Sequence, residues 1–131
     1  MIRISTESGL RHSIEIGAHQ LHADVPESFG GTASGPEPHD LFDAALGACK
    51  ALTLMLYARQ KGLALDSLDV RVVRDDSQER QGIYRLAVEL DLHGALDEEQ
   101  RQQLLRIADK CPVHKLMTSA EVQVETRLGE A

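Results

Sequence analysis

Two cysteines, Cys49 and Cys111, are the residues of this chain best suited to chemistry. They are far apart in the sequence, so any link between them has to come from the tertiary fold. A thiolate is a nucleophile and a metal ligand, whereas a buried free cysteine often serves as a small hydrophobic residue. Both interpretations apply to Cys49, which lies in an apolar segment. Cys111 precedes Pro112 at a junction between segments, with His114 placed to lower its pKa or to hydrogen-bond to a substrate.

The spacing of polar residues argues against metal and phosphate sites. Zinc needs three or four ligands with local pairs, but the sequence contains no Cys-x-x-Cys and no His-x-x-x-His. The six histidines are scattered, which is typical of surface positions. The glycine-rich residues 30–35 lack the Gly-Lys-Ser/Thr of a phosphate-binding loop and indicate a turn before a helix. We therefore predict no metal site.

The first half of the chain predicts three strands and a long helix. Apolar residues alternate in residues 2–6, 12–17 and 19–25, and a turn at residues 8–11 joins the first two strands. Glycines and prolines make residues 26–38 a loop. From residue 39 to 61 apolar residues recur at steps of three and four, which predicts a helix that carries Cys49. Because this helix is apolar on more than one face, we expect it to be central and largely buried.

The second half predicts two strands, at residues 68–73 and 83–92, followed by a helix with a capping box formed by Asp97 and Gln100. Cys111 ends this helix, a short further helix follows at residues 114–119, and alternation at residues 122–126 predicts a last strand. The order β-β-β-α-β-β-α-β, with hairpins, is an α+β fold. A chain of this size has few elements to cover its apolar helix, so we expect an interlocked homodimer.

Length and composition narrow the class of protein. The 131 residues predict a single domain, 1–131. A net charge of −7 and only 3% aromatic residues argue against a nucleic-acid partner, which favours basic and stacking surfaces. The N-terminus does not resemble a secretory signal, and we expect that no apolar run approaches the roughly 18 residues that span a bilayer. We therefore expect a cytoplasmic protein with no membrane partner, whose cysteines are thiols.

Three segments together resemble the OsmC/Ohr family, the osmotically induced and organic hydroperoxide resistance proteins. They are residues 30–41 (GGTASGPEPHDL), residues 44–62 around Cys49, and residues 110–115 (KCPVHK) around Cys111. They follow the family's order at about its spacing, and with the strands between them the resemblance covers nearly the whole chain. The OsmC-like branch fits best. The resemblance implies a single OsmC-like domain that forms an intertwined α+β homodimer, with central cysteine-bearing helices and active sites at the subunit interface.

The resemblance also implies an activity. In the family, the first cysteine attacks the O–O bond of an organic hydroperoxide and becomes a sulfenic acid, and the second cysteine resolves it as a disulfide. A dithiol reductant, of the lipoyl type in the hydroperoxide-resistance branch, then restores the thiols without metal or cofactor. Transferred to this chain, Cys49 is the peroxidatic thiol and Cys111 the resolving thiol of an antioxidant peroxidase in the oxidative stress response.

The family further supplies an arginine from the N-terminal strands and a glutamate near the start of the cysteine helix. His39 stands at the glutamate's position, so we predict that Asp40 takes its place; the alternative is a plain helix-start aspartate. Arg11 is the predicted activating arginine, with Arg3 as a second candidate, and a solvated turn arginine is the alternative. We predict that His39 and His114 bind substrate. The alternative function is an OsmC-like redox-sensing or small-ligand-binding protein without efficient peroxidase turnover.

Overall fold

A computed structural model describes residues 1–130 of the chain. The chain forms two compact units, Met1–Ala44 and Ala45–Ala131. The prediction of one domain over residues 1–131 is not tested by this division and stays a prediction. The helices and strands have the mixed α+β character that the sequence predicts.

The first unit contains a three-stranded antiparallel sheet in the order β1 (Ile2–Ser8), β2 (Arg11–Ile16) and β3 (His19–Ala23). The predicted hairpin between β1 and β2 is confirmed. The register pairs apolar residues with apolar residues along the sheet, because alternate side chains of a strand share a face. The paired positions are Ile2 with Ile16, Ile4 with Ile14, and Ile14 with Leu21. Of these, Ile14 is buried and the others leave an apolar surface exposed.

The loop after β3 is organised by one buried carboxylate, Asp24. It accepts hydrogen bonds from the side chain and backbone N–H of Ser34, from the backbone N–H of Val25, and from the side chain and backbone N–H of Thr32. The bonds from Ser34 are the main reason that the pKa of Asp24 lies well below its ordinary value. The carboxylate therefore stays ionised and gives a glycine-rich loop a defined path.

Helix α1 (Pro38–Lys61) has Pro38 in its first turn, where a missing N–H costs nothing. It ends before Gly62, whose positive φ of 67° is typical of a helix C-terminus. These boundaries agree with the helix predicted from residue 39 to 61. The residues of α1 from Ala45 onward belong to the second unit.

The second unit adds the antiparallel hairpin β4 (Ser67–Asp75) and β5 (Arg85–His93), then α2 (Glu98–Ala108) and α3 (Pro112–Thr118). The predicted capping box is confirmed, because Asp97 and Gln100 each accept a backbone N–H from the other. The core lies between α1 and α2, where Leu54 and Leu104 are fully buried.

The predicted last strand is wrong for the described residues, since residues 120–130 form no regular secondary structure. Val122 and Val124 are 67% and 82% exposed. Alternation predicts which side chains would share a face, but a strand forms only when another strand edge accepts its backbone hydrogen bonds. In the described chain this segment has no such ladder.

The prediction that α1 is largely buried is also wrong for the single chain. Leu52 and Leu56 are 63% and 55% exposed, although Leu54 and Ala58 are in the core. By length and composition alone α1 could cross a membrane, contrary to the expectation that no apolar run approaches that length. Length and composition do not by themselves distinguish such a span from the central helix of a soluble fold.

Two glycines with positive φ allow a test of this packing. A side chain at Gly94 (φ 150°) would place Cβ 1.9 Å from the backbone oxygen of Ala64, whereas Gly62 (φ 67°) has open space. We expect Gly94→Ala to lower the free energy of unfolding by about 2–3 kcal/mol or more. The control, Gly62→Ala, should lower the free energy of unfolding by about 1 kcal/mol, because it introduces backbone strain without a clash. Urea unfolding of both variants checks this, and equal losses would contradict the close approach at Ala64.

Candidate active site

The fold of the second unit brings the two cysteines together. Cys49 is partly buried in α1, and Cys111 is fully buried in the short connection between α2 and α3. Both are free thiols. The two thiols act on each other's ionisation: the neighbouring Cys111 lowers the pKa of Cys49, and the neighbouring Cys49 raises the pKa of Cys111. Residues distant in the sequence thus form one thiol pair.

The surroundings of Cys49 favour its thiolate. Burial by itself raises the pKa of the Cys49 thiol. This effect is outweighed by hydrogen bonds from the backbone N–H of Val113, from Cys111 and from Thr53, whose Oγ1 lies 4.0 Å from the sulfur, together with the positive charge of Lys50. The net result is a pKa of Cys49 below its ordinary value.

The same surroundings act on Cys111 in the opposite sense. Burial is again the largest effect and raises the pKa of its thiol, and the neighbouring Cys49 raises it further. The backbone N–H of His114, 3.3 Å from the Cys111 sulfur, and the charge of Lys50 lower it, but not enough to compensate. Cys111 is therefore the protonated partner, and Cys49 is the first to ionise.

Lys50 is a residue of this site that the sequence analysis did not identify. Its side chain is buried, and its Nζ donates to the backbone oxygen of Ala108 at 2.8 Å and to Nδ1 of His114 at 2.9 Å, with Oδ1 of Asp109 at 3.5 Å. The signal in the sequence was a single charged residue inside the apolar segment that follows Asp43. A charge at such a position is buried with partners or lies on an exposed stripe, and the sequence does not distinguish the two.

His114 lies beside both Lys50 and Cys111. Its Nδ1 lies 2.9 Å from Nζ of Lys50 and 3.9 Å from Oδ1 of Asp109. Its backbone N–H donates to the sulfur of Cys111. The side chain is one-third exposed, and its predicted role in substrate binding stays a prediction.

Arg11, the predicted activating arginine, belongs to the first unit. Its Nε donates to Oε2 of Glu7 at 2.9 Å, and its Nη1 donates to the backbone oxygen of Ser34 at 2.8 Å. These contacts tie the β1–β2 hairpin to the loop that Asp24 organises. Activation of a thiol by Arg11, or by the second candidate Arg3, stays a prediction.

Asp40 and His39 also lie in the first unit, at the start of α1. Oδ2 of Asp40 accepts the backbone N–H of Glu37 at 3.1 Å, the bond of a helix-start carboxylate to the residue that precedes the helix. Nδ1 of His39 lies 3.0 Å from Oε2 of Glu37. The helix-start role that was the alternative for Asp40 is thus present, and the catalytic role of Asp40 and the substrate-binding role of His39 stay predictions.

Two thiols of unequal acidity in contact can act in sequence. The thiolate can attack an electrophile, and the neighbouring thiol can then displace a group from the oxidised sulfur and close a disulfide. Among residues 1–130, no three His, Cys, Asp or Glu side chains meet where they could hold a metal ion.

The difference between the thiols gives a prediction for alkylation. At neutral pH iodoacetamide should modify Cys49 at least about tenfold faster than Cys111, because the thiolate is the nucleophile. The rate at Cys49 should rise with pH at a midpoint below the ordinary cysteine pKa, since its pKa is lowered. Peptide mass spectrometry over a pH series measures both rates. The control Cys111→Ala should move the midpoint upward by removing one donor, and faster modification of Cys111 would contradict the assignment.

Comparison with solved structures places the fold among known proteins. An OsmC-like protein from Mycoplasma pneumoniae is 19% identical with a TM-score of 0.76, and 91% of this chain and 86% of that chain are covered. An organic hydroperoxide resistance protein from Legionella pneumophila is 22% identical with a TM-score of 0.63, and the match covers 91% of this chain and 90% of that chain. A putative organic hydroperoxide resistance protein from Vibrio cholerae, with captopril bound in one of its active sites, is 26% identical with a TM-score of 0.63. The match covers 91% of this chain and 85% of that chain.

A comparison with curated proteins gives no match. The family model described as OsmC-like protein matches residues 31–127, which is most of the chain and includes both cysteines. The resemblance seen in the sequence and the α+β fold expected from it are therefore confirmed. The chain belongs to the OsmC-like protein family.

Proposed function

We propose that this protein is a thiol-dependent peroxidase that reduces organic hydroperoxides in the cytoplasm. The observation that carries the proposal is the Cys49–Cys111 contact, in which one thiol is favoured as a thiolate and the other is held protonated. Membership of a family whose relatives include proteins named for organic hydroperoxide resistance supports the class of substrate.

The proposed cycle needs three steps. The Cys49 thiolate attacks one peroxide oxygen of ROOH, the O–O bond breaks, and the departing alkoxide takes up a proton to give ROH and a Cys49 sulfenic acid. The Cys111 sulfur then attacks the Cys49 sulfur and releases water, forming the disulfide. A dithiol of the lipoyl type reduces this disulfide by exchange and is itself oxidised to a disulfide. The apolar surroundings of α1 favour alkyl hydroperoxides over hydrogen peroxide as substrates.

The fold fits the order of these steps. Cys49 is the more exposed of the two residues, which suits it to meet an incoming peroxide first. Cys111 is fully buried and already in contact with Cys49, so that resolution needs little rearrangement. Being protonated, Cys111 does not compete for the peroxide, because the thiol is a much weaker nucleophile than the thiolate.

The test is consumption of cumene hydroperoxide with dihydrolipoamide as reductant. The wild-type protein should turn over, Cys49→Ser should fall to background, and Cys111→Ser should form the sulfenic acid without a disulfide and turn over at least about tenfold more slowly. Hydrogen peroxide should be the poorer substrate. Wild-type activity no higher than that of Cys49→Ser would overturn the proposal.

A failed turnover assay would leave a decision between two classes of protein. If peroxide still closes the Cys49–Cys111 disulfide but lipoyl dithiols do not reopen it at a useful rate, the chain is a redox sensor. If Cys49 neither oxidises nor shows a lowered midpoint of alkylation, a ligand-binding role remains. The histidine at position 39, where hydroperoxide reductases carry a glutamate, is the feature that motivates this alternative.

We also propose that the working form is a homodimer, as the family resemblance implies. The single chain leaves apolar side chains exposed in each unit: Leu52 and Leu56 on α1, and Ile2 and Ile4 on the sheet. Apolar surface of this kind is stabilised when a second copy covers it.

The oligomeric state provides the test of the dimer. Sedimentation equilibrium should give twice the 14.4 kDa mass of the chain. Leu56→Glu should shift the equilibrium toward monomer, because it would bury a charge in the contact. Val73→Glu, on the charged outer face of β4, is the matched control and should leave the mass unchanged. A wild-type protein that sediments as a monomer would refute the proposed dimer.

A further inference from the structure

We propose that Lys50 is the positioning residue of the thiol pair, a buried ammonium that keeps Cys49 ionised and fixes the chain segment that carries Cys111. Its contribution to turnover rests on the proposed peroxidase function, whereas its effect on the thiols does not. The proposal assigns the activating charge to the cysteine helix itself, where the family resemblance pointed to an arginine of the N-terminal strands.

The contacts of Lys50 are those of a charged ammonium. Its Nζ donates to the backbone oxygen of Ala108 at 2.8 Å and forms an ion pair with Oδ1 of Asp109 at 3.5 Å, with Nδ1 of His114 at 2.9 Å. A carbonyl oxygen and a carboxylate are the partners that suit an ammonium, which has donors and no acceptor. The Ala108 oxygen lies at the C-terminal end of α2, where the helix dipole also favours a cation.

This charge acts on the sulfurs. Lys50 follows Cys49 directly in α1, and its charge lowers the pKa of both Cys49 and Cys111. The side chain of Lys50 is 4% exposed, so bulk salt screens it weakly. The carboxylate of Asp109 is 74% exposed and lies at the longest of the three distances, so solvent reduces its opposing effect.

Lys50 also holds the resolving cysteine in place. Ala108 and His114 lie on either side of Cys111 along the chain, and both are bound to the same Nζ. The segment between them contains Val113, whose backbone N–H lowers the pKa of Cys49. One buried ammonium therefore holds the segment of the second thiol in place and adds a positive charge that favours ionisation of the first.

The titratable groups of the second unit in contact with this arrangement are few. Cys111 hydrogen-bonds to Cys49, and His114 and Asp109 accept from Lys50. Thr53 and the Val113 amide, the other donors near Cys49, do not titrate in the accessible range. A change in the ionisation of Cys49 after substitution of Lys50 can therefore be followed with Cys111→Ala as the background, which removes the second thiol.

The test measures the alkylation rate of Cys49 against pH in Cys111→Ala protein, with and without changes at Lys50. Lys50→Met should slow alkylation at neutral pH about tenfold and move the midpoint upward by a corresponding amount. Lys50→Arg, which keeps the charge, should leave the rate and midpoint of Cys49 alkylation close to those of Cys111→Ala protein. Lys110→Met is the matched control, because Lys110 is an exposed lysine next to Cys111 and its loss changes the net charge equally. Circular dichroism confirms that each variant is folded.

A second measurement needs no variant that might fail to fold. In the wild-type protein, the midpoint of Cys49 alkylation should be the same at about 0.05 M and about 1 M salt, because a buried cation is screened little. A midpoint that rises markedly with salt would assign the charge to an exposed group and overturn the proposal. An unchanged midpoint in folded Lys50→Met, or an equal effect in Lys110→Met, would overturn it as well.

These outcomes separate this inference from the proposed function. If wild-type protein shows no peroxidase activity but Lys50→Met still raises the alkylation midpoint, the assignment of Lys50 stands and the peroxidase proposal fails. If peroxidase activity is present and Lys50→Met leaves the midpoint unchanged, the peroxidase proposal stands and the assignment of Lys50 fails.

Discussion

A buried lysine is the constraint on which the second unit depends. An ammonium removed from water must be paired and fully hydrogen-bonded, or the fold loses several kcal/mol. The acceptors that satisfy Lys50 come from the end of α2 and from α3, so meeting this requirement draws both elements against α1. Cys49 and Cys111 lie beside these contacts. The solvation of one side chain thus determines where two thiols meet.

The asymmetry of the thiol pair follows from small differences in a shared environment. Both sulfurs experience burial and the charge of Lys50, but Cys49 receives more donors, including the S–H of its partner. Cys111 keeps its proton and is the more deeply buried. Opposite pKa changes in neighbouring groups are a common way to assign separate chemical roles to one residue type. Here they would separate the attacking sulfur from the resolving one.

The surface of the single chain exposes large apolar side chains in both units. One side of α1 exposes the apolar residues Leu52 and Leu56, and the segment around Val122 has a strand pattern but pairs with no strand of the described chain. The sheet of the first unit leaves Ile2 and Ile4 exposed in the same way. Each of these features would be stabilised by burial against another copy, as the proposed dimer requires.

The sequence by itself determined the local structure and the family. Alternation and three–four periodicity place the strands and α1, Asp97 with Gln100 begins α2, and the segments around Cys49 and Cys111 identify an OsmC-like protein, because these signals are set by neighbouring residues. Tertiary structure decided what depends on distant partners. It left residues 120–130 unpaired with any strand of the described chain, and it exposed one side of α1. It also buried Lys50 with acceptors contributed by α2 and α3. A lone charge in an apolar helix does not reveal its partners, since they come from residues far away in the chain.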